Sequence, residues 1–287
     1  MLIGAASLAL SAATLFGVAL VLTHRGLRHT NPLHGALVSI PTAASLLWLL
    51  SPFTVRLADW NGDAALIFLG IGALFPASVT LLTFEANRRL GPSVTGTLGS
   101  VTPLFAVAWA ILFLGEQPTM VQGAAILAVV AGIALIAFDP KRRNIGSRRW
   151  SLALPIVAAA IRGLVQAVGK LGLALWPNPF AAALIGYTAS SLVVVAAVIL
   201  LRKSNPLILR RAALLWFGLV GLCNGTAVLF LYAALSRGSV VLAAPLVATY
   251  PFVTLGISAA MRSIIATRCL LVGIALTVVG SIVLVIV

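Results

Sequence analysis

Arg162, Gln166 and Lys170 stand four residues apart in AAAIRGLVQAVGKLG (158–172), a stretch that is otherwise apolar. That spacing sets the three along one slowly drifting face of a helix. A lone cation at a bilayer centre costs at least about 2.5–3.5 kcal/mol on insertion scales, so Arg162 needs a partner, water or a ligand. Its guanidinium is a planar fork of five donors and suits a carboxylate. The same fork serves equally to cap carbonyls freed by a broken neighbouring helix. Lys170 lies nearer the end of its apolar run, where its long stem lets the ammonium snorkel to the interface.

A second set of polar groups sits beside helix-breaking residues. LFPAS (74–78) corresponds to LCNGT (222–226), and Thr102-Pro103 corresponds to Tyr250-Pro251. A broken helix in lipid frees backbone carbonyls that only a cavity or a neighbouring helix satisfies. The expected substrate site is a central cavity lined by Phe75, Ser78, Thr102, Arg162, Gln166, Asn224, Thr226 and Tyr250, with breaks at Pro76, Pro103 and Pro251. The plainer reading of the same residues is packing, since small polar side chains and proline kinks let membrane helices approach one another.

Other chemistry finds little support. No G-x-x-x-x-G-K-[ST] phosphate loop is present, and no nucleophile, base and orienter stand out, so neither an ATPase nor an enzyme is expected. His24, His29 and His34 are five apart, which is not a one-face helical pattern, and Cys223 and Cys269 both lie in apolar runs. Neither a metal nor another cofactor is expected. Glu85 has Arg88 and Arg89 three and four residues on, an ordinary helical ion pair. Trp48 and Trp109 offer faces for an aromatic substrate, while Trp60, Trp150 and Trp176 fall at the ends of apolar runs, where tryptophan anchors helices.

The elements that must position these groups are membrane spans. Of 287 residues, 61% are hydrophobic and 8% charged, and the mean hydropathy is +1.15; soluble domains carry about a quarter charged residues. The formal net charge of +14 sits in short gaps between apolar runs. There it sets orientation and meets anionic lipid heads, so nucleic acid is not an expected partner. Crossing the hydrocarbon takes roughly 20 helical residues. Ten runs qualify: 2–23, 32–53, 64–87, 92–115, 119–138, 151–174, 178–201, 212–235, 239–260 and 269–287. The first lacks a basic leader and exceeds the apolar core of a signal peptide, so a retained helix is expected.

The longest gap, DPKRRNIGSRR (139–149), divides the chain into two five-span halves whose sequences correspond at an offset of 146–148 residues. NPLHGALVSIPTAAS from Asn31 answers NPFAAALIGYTASS from Asn178; Phe16-Gly17 answers Arg162-Gly163; IFLGIGALFPAS answers LWFGLVGLCNGT; Pro103 answers Pro251. An odd number of spans per half obliges the second copy to enter the membrane inverted. Inverted repeats of this kind typify secondary transporters with a midplane site between the repeats. The expected fold is an all-α polytopic membrane protein of ten helices in two inverted five-helix repeats, 1–138 and 151–287, joined by a basic cytoplasmic linker at 139–150.

With its repeat and the run EANRRLGPSVTGTLGSVTPLFAVAWAILFLGEQPT (85–119), the chain resembles the drug/metabolite transporter superfamily, in its ten-helix branch of two EamA-type halves. Gly115-Glu116 resembles the family's ending to a proline-broken fourth helix. The likeness is nearest to bacterial amino-acid exporters of the YddG type. It implies an exporter of the bacterial inner membrane that moves amino acids, aromatic ones included, or related small metabolites by alternating access. It also implies lipid as surroundings, a single chain acting alone, and the fifth and tenth helices as peripheral supports. The alternatives are a drug or other metabolite exporter of the same superfamily, and a channel. Ser263 and Ile264 stand where Gly-Glu would recur, and the first span offers Ser7, Ser11 and Thr14 but no carboxylate, which disfavours proton-coupled drug antiport.

Fifteen Lys and Arg residues lie in gaps after odd-numbered spans and two, Arg56 and Arg237, after even-numbered ones. By the positive-inside rule both termini are periplasmic. A reporter active only in the periplasm should therefore be active when fused after Val287 and silent within 141–149; the opposite pattern would refute the orientation.

Overall fold

The structure, a computed structural model, describes residues 2–55, 60–137, 150–200, 210–260 and 268–286. Most of the 139–150 linker, Arg56, Ser263 and Ile264 lie outside the described residues. Among the described residues twelve helices follow one another: α1 (Leu2–Gly26), α2 (Pro32–Thr54), α3 (Gly62–Leu74), α4 (Ala77–Gly99), α5 (Thr102–Leu114), α6 (Met120–Ala137), α7 (Trp150–Leu175), α8 (Pro179–Leu200), α9 (Arg211–Arg237), α10 (Val240–Val247), α11 (Tyr250–Ala260) and α12 (Arg268–Ile286). Seven helical runs are long and apolar enough to cross a membrane. Three shorter apolar helices, Thr102–Leu114, Met120–Gly132 and Ala275–Leu284, complete the ten spans. The chain is thus an all-α, polytopic membrane protein.

The helix starts follow from local chemistry. Asn31 Oδ1 accepts from His34 N–H at 2.9 Å and Pro32 opens α2. In the second half Asn178 Oδ1 accepts from Phe180 and Ala181 N–H at 3.1 and 3.0 Å, with Pro179 opening α8. An Asn cap followed by proline satisfies orphan donors and presets the first turn. The two Asn-Pro stretches of the repeat therefore do the same work in both halves.

Three interruptions, with α4 shared between the third and fourth spans, turn ten spans into twelve helices. The third span breaks at Phe75-Pro76, between α3 and α4, with a cis peptide bond. The fourth breaks at Ser100-Val101 and the ninth at Ala248-Thr249, 148 residues on. Between the third and fourth spans α4 is bent at Gly91, whose φ of 78° is a left-handed value that suits glycine. The break expected in the eighth span does not form: α9 runs without interruption through Cys223-Asn224-Gly225. Glycine keeps its N–H and so does not break the ladder as proline does; Gly225 instead seats its helix against Ala43.

The halves pack by equivalent contacts. A Cβ on Gly17 would collide with Tyr250 O and Val253, and one on Gly163 with Phe105 and Ala106. Gly221 of α9 lies against Ser39 and Thr42 as Gly72 of α3 lies against Gly186 and Ala189. Gly26 meets Phe217 as Gly172 meets Phe68. Gly132 meets Gly273 and Thr277, while Gly280 meets Ala125 and Val129. The partners correspond at nearly constant offset, so exchanging the halves leaves these crossings in place. Helices α6 and α12 pack chiefly on each other, beside the other eight spans. Small residues at crossings are how helices in lipid gain close van der Waals contact without a hydrophobic driving force.

Ser190 of α8 holds the break at Pro76. Proline removes the N–H that would have paired with Gly72 O; the Ser190 hydroxyl donates to Gly72 O instead and accepts from Ala77 N–H at 3.1 Å. Ser190→Ala would leave both groups unpaired in the membrane interior, a loss of about 1–3 kcal/mol. The variant should unfold at a lower temperature than the wild type in detergent, whereas Ser191→Ala, which loses only a bond to Tyr187 O of its own helix, should not.

Candidate functional site

A cavity of about 70 Å³ lies among the third, fourth, sixth, eighth and ninth spans, with α1 and Tyr187 of α8 completing its wall. Several water-sized groups fit such a space. Its lining is mainly apolar and aromatic, with Arg162, Asn224, Tyr250 and several threonines among it.

The fourth- and ninth-span breaks meet beside it. Ser100 Oγ lies 3.0 Å from Ala248 O and 2.9 Å from Gly96 O of its own helix. Tyr250 Oη donates to Gly96 O at 2.9 Å, and Thr102 Oγ1 to Gly99 O at 2.7 Å. Gly99 and Val247, the residues whose carbonyls lose their helical donors to Pro103 and Pro251, both line the cavity. Tyr250 Oη occupies the space that a Gly99 side chain would take, with Arg162 Nη1 3.6 Å from that same point. The glycine thus makes room where the phenol and the guanidinium converge.

Four of the eight expected lining residues come together here: Phe75, Arg162, Asn224 and Tyr250, together with Pro76. The others do not line the cavity. Ser78 Oγ donates to Leu74 O, Thr226 Oγ1 to Leu222 O at 2.9 Å, and Thr102 Oγ1 to Gly99 O. Each hydroxyl turns back onto a carbonyl three or four residues earlier, Thr226 within α9 and Ser78 and Thr102 across the breaks that precede them, an option always open to Ser and Thr. Gln166 is 1% exposed, and neither atom of its amide makes a hydrogen bond. Pro103 is buried at the start of α5, and Pro251 packs near Gly96. Trp48 donates to Thr188 Oγ1 at 3.0 Å, and Trp109 stacks on Phe113 with ring centroids 5.3 Å apart, both away from the cavity.

Thr83 and Thr95 line the cavity without having stood out in the sequence. Thr83 Oγ1 accepts from Arg162 Nη2 at 3.4 Å. Thr95, 2% exposed, makes no hydrogen bond through its hydroxyl. Spacing was the available signal for Thr95: it precedes Gly99 by one turn and Thr102 by two, on the face that reaches the break.

The two ends of the bundle differ. At one, Phe217 packs against Gly26, Gly35 and Phe84, and the Arg25 guanidinium lies 5.5 Å from the Trp216 ring centroid. Arg88 and Arg89 pair with Glu85 near this end, and Arg210 and Arg211 open α9 there. The cavity extends toward this end, reaching Thr23 and Phe84. At the other end Glu116 crosses from the first half to the second: its carboxylate accepts from Val240 and Val241 N–H at 3.0 Å each, at the start of α10. Lys170 donates to Leu235 O at 2.6 Å and to Gly238 O, closing the α9–α10 turn from below. Glu116→Gln keeps one acceptor but loses the charge that complements a helix N-terminus, a cost of about 0.5–2 kcal/mol. It should lower the detergent unfolding temperature, and Glu116→Ala should lower it further; unchanged temperatures for both would show that the clasp carries no stability.

Residues 3–138 match the EamA-like transporter family. No curated protein matches the sequence. A crystal structure of a protein 17% identical to this chain superimposes with a TM-score of 0.77, covering 97% of this chain and 95% of the other. That likeness extends the shared fold through the second half.

Proposed function

From the match of residues 3–138 to the EamA-like transporter family, we propose that the chain is a secondary transporter working by alternating access around the central cavity. Its cargo is amino acids, aromatic ones included, or related small metabolites that present a carboxylate, exported across the bacterial inner membrane. The repeats are 1–138 and 151–287, the 139–150 linker is cytoplasmic, and both termini are periplasmic. The protein acts as a single chain among lipids, with no bound cofactor, metal or nucleic acid.

The observation that carries this reading is the meeting of the fourth- and ninth-span breaks, Ser100 against Ala248, beside a cavity that Arg162 lines. Unwound backbone at the interface of two repeats is where such carriers hold cargo. A cavity that reaches toward one end, with a clasp across the other, has the form of one state of an alternating cycle. A channel needs a path continuous through both ends, and the Glu116 clasp bars one. A drug exporter would take bulky cations, which Arg162 opposes. The pore and the drug exporter remain the alternatives that transport measurements must separate from the metabolite carrier.

Proteoliposomes preloaded with one unlabelled amino acid should take up the labelled form by saturable counterflow; uptake without exchange would indicate a channel instead. Pro103→Ala and Pro251→Ala restore a backbone donor at the breaks and should each reduce counterflow several-fold with little loss of folded yield. Equal losses in transport and yield would assign the prolines to packing.

A further inference from the structure

Arg162 faces a cavity that offers it no counter-charge. No acidic residue lines the cavity among the described residues. Glu85 is committed to Arg88 and Arg89 and Glu116 to the start of α10, while Asp63 stands in the first turn of α3. The guanidinium makes one long hydrogen bond, 3.4 Å to Thr83 Oγ1, which leaves most of its five donors unspent. Two further donors line the cavity with it: the Thr95 hydroxyl, buried without a partner, and the Asn224 amide. A cation in a low-dielectric interior, with unspent donors beside it, is the complement of an anion.

The repeat fixes what stands elsewhere in the cavity. Phe16 occupies the position that corresponds to Arg162, and both residues line the cavity. Quasi-equivalent positions thus present one charged wall and one aromatic wall, to which Phe75 and Phe84 add. A ligand that fits both has a negative head and an apolar body. An ammonium finds no carboxylate here. In an α-amino acid it lies two bonds from the carboxylate carbon, so seating the carboxylate on Arg162 brings a positive charge close to a positive charge.

Resting on the reading of the cavity as a transport site, we propose that this site selects a small organic monoanion with an apolar body, such as an aryl monocarboxylate, over the zwitterion and the cation of the same body. Arg162 binds the head, and Thr95 and Asn224 contribute the donors that complete its hydrogen bonding. Among the metabolites proposed above, simple carboxylates are the favoured cargo and amino acids the poorer one.

Three probes share one body and differ only in charge: 3-phenylpropanoate, phenylalanine and 2-phenylethylamine. Binding to the full chain in nanodiscs should be about tenfold tighter for 3-phenylpropanoate than for phenylalanine, with no saturable binding of 2-phenylethylamine. Arg162→Gln should abolish the preference for the anion. Arg162→Lys, which keeps the charge but not the fork, should weaken 3-phenylpropanoate several-fold, and so provides the reading if the glutamine variant does not fold. Thr95→Val should weaken 3-phenylpropanoate several-fold. Phenylalanine or the amine binding as tightly as the anion would overturn the inference, as would an unchanged order in a folded Arg162→Gln protein or the absence of binding by all three. Counterflow separates the two readings. Exchange of amino acids with no recognition of 3-phenylpropanoate would sink the anion site and leave the carrier. Binding in the expected order with no exchange of any solute would leave the anion site and sink the carrier.

Discussion

Every backbone group that a break frees inside the hydrocarbon must find a partner within the protein, and much of this bundle is arranged around that obligation. Proline at position 76 takes a donor from Gly72 O, and a serine on another span, Ser190, returns one. At the fourth-span break the hydroxyls of Ser100, Thr102 and Tyr250 crowd onto the carbonyls of Gly96, Gly99 and Ala248. Breaks are therefore possible only where neighbouring helices approach closely enough to serve them. That requirement explains why glycines of neighbouring spans press against the broken ones: Gly17 of α1 seats directly on the residues around Pro251, and Gly163 of α7 on those just after Pro103. Close packing and open backbone are two sides of one solution, and the cavity is the space left between them.

The charges obey a similar economy. Glu85 serves two neighbouring arginines, Glu116 serves a helix start, and Lys170 serves the carbonyls that end α9. Each is satisfied near a span end, close to where water lies. Arg162 is the exception by position and by partner, since it sits in the cavity with a single long hydrogen bond. A costly group held without structural recompense is where a functional role is most readily argued.

Much of this was legible in the sequence for identifiable reasons. Spans announce themselves through run length, helix starts through Asn-Pro, and the breaks at Pro103 and Pro251 through a residue that cannot donate. The supposed break at Asn224-Gly225 was misread because its counterpart at Pro76 owes its geometry to proline, and glycine does not reproduce that. Half of the candidate lining residues point elsewhere: the hydroxyls of Ser78, Thr102 and Thr226 bond to carbonyls three or four residues back, and a string of residues does not reveal which way such a hydroxyl turns. Ser190 escaped notice because its task is defined by a carbonyl 118 residues away. Thr83 escaped because a threonine in an apolar span has no distinguishing local pattern, and Thr95 because its one signal, a spacing of one turn from Gly99, takes its meaning from the break.

Ser100 and Ala248 occupy corresponding positions in the two halves, and they touch each other. Corresponding residues in mutual contact lie at the axis that relates the halves, so in an assembly of two identical chains the residue there would face its own copy. Two serines would crowd two donors onto the point, and two alanines would supply none. A single hydroxyl there, set between Ala248 O and Gly96 O, is available only to a protein whose halves are unlike. Joining the halves in a single polypeptide makes that difference heritable position by position, and it pairs them in the one combination that no homodimer can assemble.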